Sequence, residues 1–94
     1  MKYQLVIPPS VEETLVHLPP RLKKKIRAAL QEIQEDPHLG KPLRDKLKNL
    51  WSYQVDRYRI VYRIYHARIE IQVIDIGHRN IIYQRITDFL QDLS

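Results

Sequence analysis

The sequence predicts a small α+β fold in the element order βααβββα, and three observations carry that reading. Apolar residues recur at helical spacing twice, over 22–33 and 82–93. Between these stretches, over 53–76, they recur every second residue, the period of strands with one buried face. A chain of 94 residues leaves room for one domain only. The expected product is a small twisted, mainly antiparallel sheet packed on an N-terminal helical hairpin and joined by a C-terminal helix. With 44% hydrophobic residues, 29% charged residues and two glycines, the composition excludes disordered, collagen-like and low-complexity classes.

Each element follows from its residues. Tyr3, Leu5 and Ile7 alternate with Lys2, Gln4 and Val6, and Pro8 and Pro9 then stop the ladder of a short first strand. Ser10 with Glu13 three residues later has the spacing of a capping box and opens a helix of about two turns, with Val11, Leu15 and Leu18 on one face. Pro19 and Pro20 break it. From Arg21, the residues Leu22, Ile26, Ala29, Leu30 and Ile33 form one buried stripe on a second helix with a charged back, which includes Lys23, Lys24 and Lys25. Asp36 and Pro37 end that helix, and His38 to Pro42 form a connection.

The period then changes. Tyr53 and Val55, followed by Tyr58, Ile60, Tyr62 and Ile64, predict a hairpin with Asp56 and Arg57 as its tight turn. Ile69, Ile71 and Val73 continue the alternation after a turn at His66 and Ala67. Ile74 and Ile76 place this third strand centrally in the sheet, buried on both faces near its end. Gly77 marks the exit, and Ile82, Ile86, Phe89, Leu90 and Leu93 share one face of the closing helix.

Composition also limits the chemistry. The absence of cysteine removes disulfides, thiolate zinc sites, iron–sulfur clusters and cysteine nucleophiles. His17, His38 and His66 share no ligand spacing, so no metal and no other cofactor is expected. There is no glycine-rich phosphate loop, no usefully spaced carboxylate pair and no serine nucleophile motif. The apolar stretch before Pro8 is too short for a signal segment or a membrane span, so the expectation is a soluble cytoplasmic chain with no membrane partner. Any catalysis rests on Arg, Lys, His and Tyr.

The net charge of +5 favours a polyanionic partner, and its distribution is uneven. Residues 1–40 hold six basic and five acidic side chains, residues 41–85 hold ten and four, and residues 86–94 hold two aspartates. The excess lies in the second half, where Arg59 and Arg63 alternate with the apolar face of the middle strand. Arginine beside aromatic residues on a sheet suits RNA, because the guanidinium fork binds phosphate while rings stack on unpaired bases. A salt-bridged outer face is the structural alternative. Lys41, Arg44, Lys46 and Lys48 form a spaced basic stretch that serves either as an RNA contact or as a solvated loop. Trp51 and Tyr53 serve either as stacking rings or as core. Between the third strand and the closing helix, His78 is a candidate for proton transfer, and Arg79 for stabilising charge on a phosphorane.

Two segments, Trp-Ser-Tyr-Gln-Val-Asp-Arg-Tyr-Arg-Ile-Val-Tyr-Arg-Ile from Trp51 and Ile-Gly-His-Arg-Asn-Ile-Ile-Tyr ending at Tyr83, resemble the RelE/ParE toxin superfamily of bacterial toxin–antitoxin pairs. The resemblance spans nearly the whole chain in element order. It implies the RelE/ParE toxin fold and, for the RelE branch, an endoribonuclease that cuts mRNA on the ribosome without metal, by 2′-hydroxyl attack that leaves a 2′,3′-cyclic phosphate. Position by position, it implies that Arg59 holds the scissile phosphate, Arg79 stabilises the leaving group and Tyr83 stacks on a base and orients the attacking hydroxyl. His78 then takes a proton-transfer role, with Lys46, Lys48, Trp51, Tyr53, Arg57 and Arg63 as RNA contacts. Ser52 and Gln54 stand where the RelE pattern has lysines, which leaves the general base open. The resemblance further implies a cognate antitoxin, RelB-like or of another class, with DNA bound only through the antitoxin complex. Two alternatives stay open: a ParE-like poison of DNA gyrase without nuclease activity, and a catalytically inert toxin fold that only binds.

Overall fold

The alternating segments pair into one five-stranded sheet in a computed structural model that describes residues 2–93. The strands are β1 (Gln4–Val6), β2 (Lys41–Pro42), β3 (Trp51–Val55), β4 (Tyr58–Tyr65) and β5 (Glu70–His78), in the order β1-β5-β4-β3-β2. β1 runs parallel to β5, and every other pair is antiparallel. The helices are α1 (Pro9–Val16), α2 (Pro20–Glu35) and α3 (Ile82–Leu93). The predicted architecture holds, with one addition: the His38–Pro42 connection contributes the two-residue edge strand β2, too short to leave a period in the sequence.

Helices cover both faces of the sheet. On one, Val11, Leu15 and Leu18 of the first helical segment and Ile26, Ala29, Leu30 and Ile33 of α2 bury against Val55, Ile60, Tyr62, Ile71, Val73 and Ile76. On the other, Ile82 and Ile86 of α3 pack on Val61 and Leu50, with Leu43, Leu47 and Ile74 beside them. The contribution of β5 to both clusters requires a register shift. Val61 pairs with Asp75 but Tyr62 with Val73, so Ile74 is an extra residue, and beyond it the alternation reverses to return Ile76 to the helical-hairpin side. β5 is thus interior and buried on both sides, as its apolar run predicts, although β4 is the middle strand.

Four local expectations are corrected. α1 starts at Pro9 after an extended Pro8 and has no side-chain cap, so the Ser10 and Glu13 capping box does not form; proline at the first helical position replaces it. The first hairpin strand begins at Trp51, two residues earlier than expected. Ile69 precedes β5 with φ 50°, at the end of a 3-10 turn over His66–Arg68. On α3 only Ile82 and Ile86 of the apolar stripe are buried, whereas Phe89 and Leu90 are 58% and 37% exposed because the helix runs past the sheet. The side chain of Leu93 lies outside the described residues.

Candidate active site

Strand alternation decides which side chains meet. In the paired strands Gln54 lies opposite Arg59, Arg59 opposite Gly77, Ser52 opposite Val61 and Lys41 opposite Ser52. Cross-strand partners share a face, so Lys41, Ser52, Gln54, Arg59 and Gly77 all project toward the α3 side. There they border a hollow of about 400 Å³, walled by the 39–43 segment on one side and by Tyr83 on the other. α3 places Tyr83 in its first turn, anchored by the buried Ile82 and Ile86. Arg85 fixes the same helix to β5: its Nε donates to Asp75 Oδ2 at 2.7 Å, and its guanidinium lies across Gly77, where a Cβ would strike Nη2.

Inside the hollow, Arg59 Nε donates to the Tyr83 hydroxyl at 3.2 Å, and that hydroxyl shares a 2.8 Å hydrogen bond with Ser52 Oγ. Arg59 Nη1 is sealed from solvent and has no acceptor among the described residues. A buried guanidinium N–H without a partner costs about 1–3 kcal/mol. Arg59 also has no carboxylate partner among the described residues, although Lys25, Arg27, Arg68 and Arg85 each have one. A planar cation with an unfilled, preorganised donor is a receptor for an oxyanion.

The other candidates are distributed around this centre. Arg79 follows β5 in an exposed turn; its backbone N–H donates to Arg57 O at 2.8 Å, which sets Arg57 and Arg79 together at the hairpin end of the sheet, and neither lines the hollow. Lys46 and Lys48 are exposed on the loop whose Leu43 and Leu47 pack on the α3 side, again outside the lining. Arg63 is exposed and lies 5.0 Å from the centre of the Tyr65 ring, which Arg68 also approaches at 4.1 Å.

Three candidates lie on the opposite face. His78 pairs with Tyr58, and their rings meet edge to face at 5.9 Å in the groove between α1 and α3. One step of alternation thus turns His78 away from Arg59, which takes the proposed proton-transfer group out of the hollow. Trp51 and Tyr53 pair with Tyr62 and Ile60 and pack against the main core, so their rings are structural there. Tyr53 donates to Glu32 Oε2 at 3.0 Å, and this bond, with burial and the carboxylate charge, pushes the phenol pKa up. Of the expected RNA-stacking rings, only Tyr83 belongs to the Arg59 side.

Sequence reasoning did not single out three residues of the site. Ser52 and Gln54 border the hollow, and Lys41 enters through β2. The signal for Lys41 was its glycine neighbour. Gly40 N–H donates to the Tyr62 hydroxyl at 3.2 Å, and a Cβ on Gly40 would fall 2.6 Å from that oxygen and 2.7 Å from Ser52 O. Only glycine lets the segment come close enough to pair with β3. No group of three or more metal-ligating side chains occurs among the described residues.

Known proteins share this arrangement. The model of the ParE toxin of the type II toxin–antitoxin system parDE matches residues 7–83. The chain is 31% identical to toxin RelG of Mycobacterium tuberculosis over 87 residues, covering 90% of this chain and 100% of that one. It is 39% identical to toxin RelE of the same organism over 70 residues, covering 68% and 72% of the two chains. Among solved structures, a chain of the RelBE2 toxin–antitoxin complex of Mycobacterium tuberculosis superposes with a TM-score of 0.76 at 26% identity, covering 84% of this chain and 93% of that one. The isolated RelE toxin of E. coli shares the fold with a TM-score of 0.72 at 19% identity, covering 94% and 98%. The family match over residues 7–83 and the RelG likeness along nearly the whole chain make it a member of the RelE/ParE superfamily, the toxins of type II toxin–antitoxin systems.

Proposed function

We propose that this toxin is a cytoplasmic endoribonuclease of the RelE type that cuts mRNA on the ribosome. The observation that carries the reading is Arg59 Nη1, a buried donor without an acceptor, aimed into a hollow beside Tyr83. In the reaction the 2′-oxygen attacks the adjacent phosphorus. A P–O2′ bond forms and the P–O5′ bond breaks, leaving a 2′,3′-cyclic phosphate; the 2′-proton departs and one is delivered to the 5′-oxygen. Arg59 neutralises charge growing on the non-bridging oxygens, where a preorganised donor in a site shielded from water acts most strongly. The Tyr83 hydroxyl, held between Arg59 and Ser52, orients the attacking ribose. Arg79, beside Arg57 at the open end, meets the leaving strand.

RelE-named relatives and structural neighbours crystallised as toxin–antitoxin complexes support both the activity and a cognate antitoxin. The groove between α1, β5 and α3 suits that partner. It measures about 690 Å³ and includes Ile81 and Phe89, which are 54% and 58% exposed, while β1 covers only Glu70 to Gln72 of the outer edge of β5. An exposed strand edge beside an apolar groove accepts a partner segment, and a net charge of +5 favours an acidic one.

The test is a reconstituted translation reaction with a programmed mRNA. The wild type is expected to cut it, and Arg59→Ala to lose about 10²–10³-fold in rate. Intact mRNA together with inhibition of gyrase supercoiling would instead favour a gyrase poison.

A further inference from the structure

We infer that Lys41 is a second catalytic cation, contacting the same phosphate that Arg59 holds. This rests on the nuclease reading and adds to it a residue from the shortest strand of the sheet. The in-line transition state carries two units of negative charge around phosphorus, whereas Arg59 supplies one positive charge. Ser52, Gln54 and Tyr83, which border the same hollow, are neutral, and Lys41 is the other charged side chain lining it. Among the described residues Lys41 makes no ion pair, so its ammonium is available.

The placement of Lys41 is built into the fold. The Tyr62 hydroxyl, fully buried, donates to Pro37 O at 2.6 Å and accepts from Gly40 N–H, which latches the segment onto the sheet. β2 then pairs in a fixed register, Lys41 opposite Ser52 and Pro42 opposite Trp51, and this puts Lys41 on the Arg59 face. Two strand spacings of about 4.8 Å and one two-residue step of about 6.7 Å separate the Lys41 and Arg59 Cα atoms by roughly 12 Å. Two long side chains close that distance around a phosphate, one from each side. Lys41 transfers no proton in this role; it offsets charge on a non-bridging oxygen while the P–O2′ bond forms and the P–O5′ bond breaks.

The test compares Lys41→Ala, Lys41→Arg, Arg59→Ala and the α2 surface variant Lys24→Ala. Single-turnover cleavage of programmed mRNA is measured beside affinity for an RNA oligonucleotide blocked by 2′-O-methylation. Lys41→Ala is expected to slow cleavage by about 10²-fold and to lower the salt slope of RNA affinity by about 0.7, one phosphate contact on a single strand. Lys41→Arg recovers most of the rate, and Lys24→Ala matches wild type. If Arg59→Ala abolishes cleavage while Lys41→Ala stays within twofold of wild type, the Lys41 assignment falls and the nuclease reading stands. A wild type that leaves the mRNA intact overturns both.

Discussion

Gly40→Ala probes the link between the edge strand and the hollow. Gly40 has φ −76° and ψ −174°, a conformation open to any residue, so the effect of a methyl group there is one of space. The new Cβ would lie 2.6 Å from Tyr62 Oη, 2.7 Å from Ser52 O and 3.1 Å from Ser52 C. Regaining an ordinary separation of about 3.5 Å requires a retreat of roughly 0.9 Å. Neither neighbour yields easily: Ser52 O belongs to the backbone of β3, and Tyr62 is fully buried with its hydroxyl bonded to Pro37 O. The 37–42 segment therefore moves, and Gly40 N–H loses its bond to Tyr62. Overpacking of this kind costs about 2 kcal/mol, equivalent to a fall in Tm of roughly 8–16 °C for a chain of this size. β2 carries Lys41 with it, and a displacement near 1 Å at a reacting centre costs about 10²-fold in rate. Thermal unfolding by circular dichroism and single-turnover cleavage measure the two effects. A variant that melts within about 2 °C of wild type and cuts at the wild-type rate would refute both the latch and the role of β2.

Two further outcomes follow from the buried polar groups. Arg59→Met removes an unsatisfied buried donor at the loss of one hydrogen bond to Tyr83, terms of about 1–3 and 0.5–1.5 kcal/mol with opposite sign, so urea unfolding should show stability unchanged or slightly raised while cleavage is lost. A loss above about 1 kcal/mol would instead make Arg59 a structural residue. Burial raises the Tyr62 pKa from 10.0 to about 12, and the favoured folded form is the neutral phenol. Its contribution to stability is therefore complete below pH 10, where both states are protonated, and is lost as pH rises from 10 toward 12, because the unfolded chain releases the proton first. Tyr62→Phe should lower stability at neutral pH by about 1–3 kcal/mol, by stranding Gly40 N–H and Pro37 O. The gap between wild type and variant should then narrow above pH 10, and a constant gap up to pH 12 would contradict the assignment.

Period alone disclosed most of the fold, because each stripe that reads as buried in the sequence had a sheet face to meet. The stripe of α2 and the alternation of β4 are buried as predicted, from Ile26 to Ile33 and at Ile60 and Tyr62. Failures arose where a single residue breaks the period. The extra Ile74 in β5 reverses the alternation, and Ile69 is lifted out of the strand by a positive φ. The candidate site was legible for the same reason and to the same depth. Arg59 and Tyr83 were found because their positions follow from long periodic elements. His78, Trp51 and Tyr53 were assigned from residue type before their face was known, and pairing with Tyr58, Tyr62 and Ile60 sets them on the opposite side. Lys41 escaped notice because a two-residue strand has no period, and only its cross-strand pairing gives it a face.

The excess of positive charge over residues 41–85 acquires meaning from where the carboxylates go. That segment holds four acidic residues. Asp56 engages Lys25 of α2 at 3.1 Å, Glu70 engages Arg68 at 3.7 Å and Asp75 engages Arg85 of α3 at 2.7 Å, while Asp45 stands exposed in the loop before β3. Three of the four are thus committed to cations that close the fold, and each bond holds a turn or helix in place around the sheet. None reaches Arg59 or Lys41, the two charged groups of the hollow. Solvent-exposed ion pairs contribute little to stability, typically less than about 1 kcal/mol. Their larger consequence here is to spend the local carboxylates elsewhere, so that the partly buried guanidinium keeps an unmet donor. A carboxylate beside Arg59 would satisfy Nη1 and compete with phosphate for it. The arrangement therefore gives up some stability at one buried donor and keeps a cationic hollow open to an external anion.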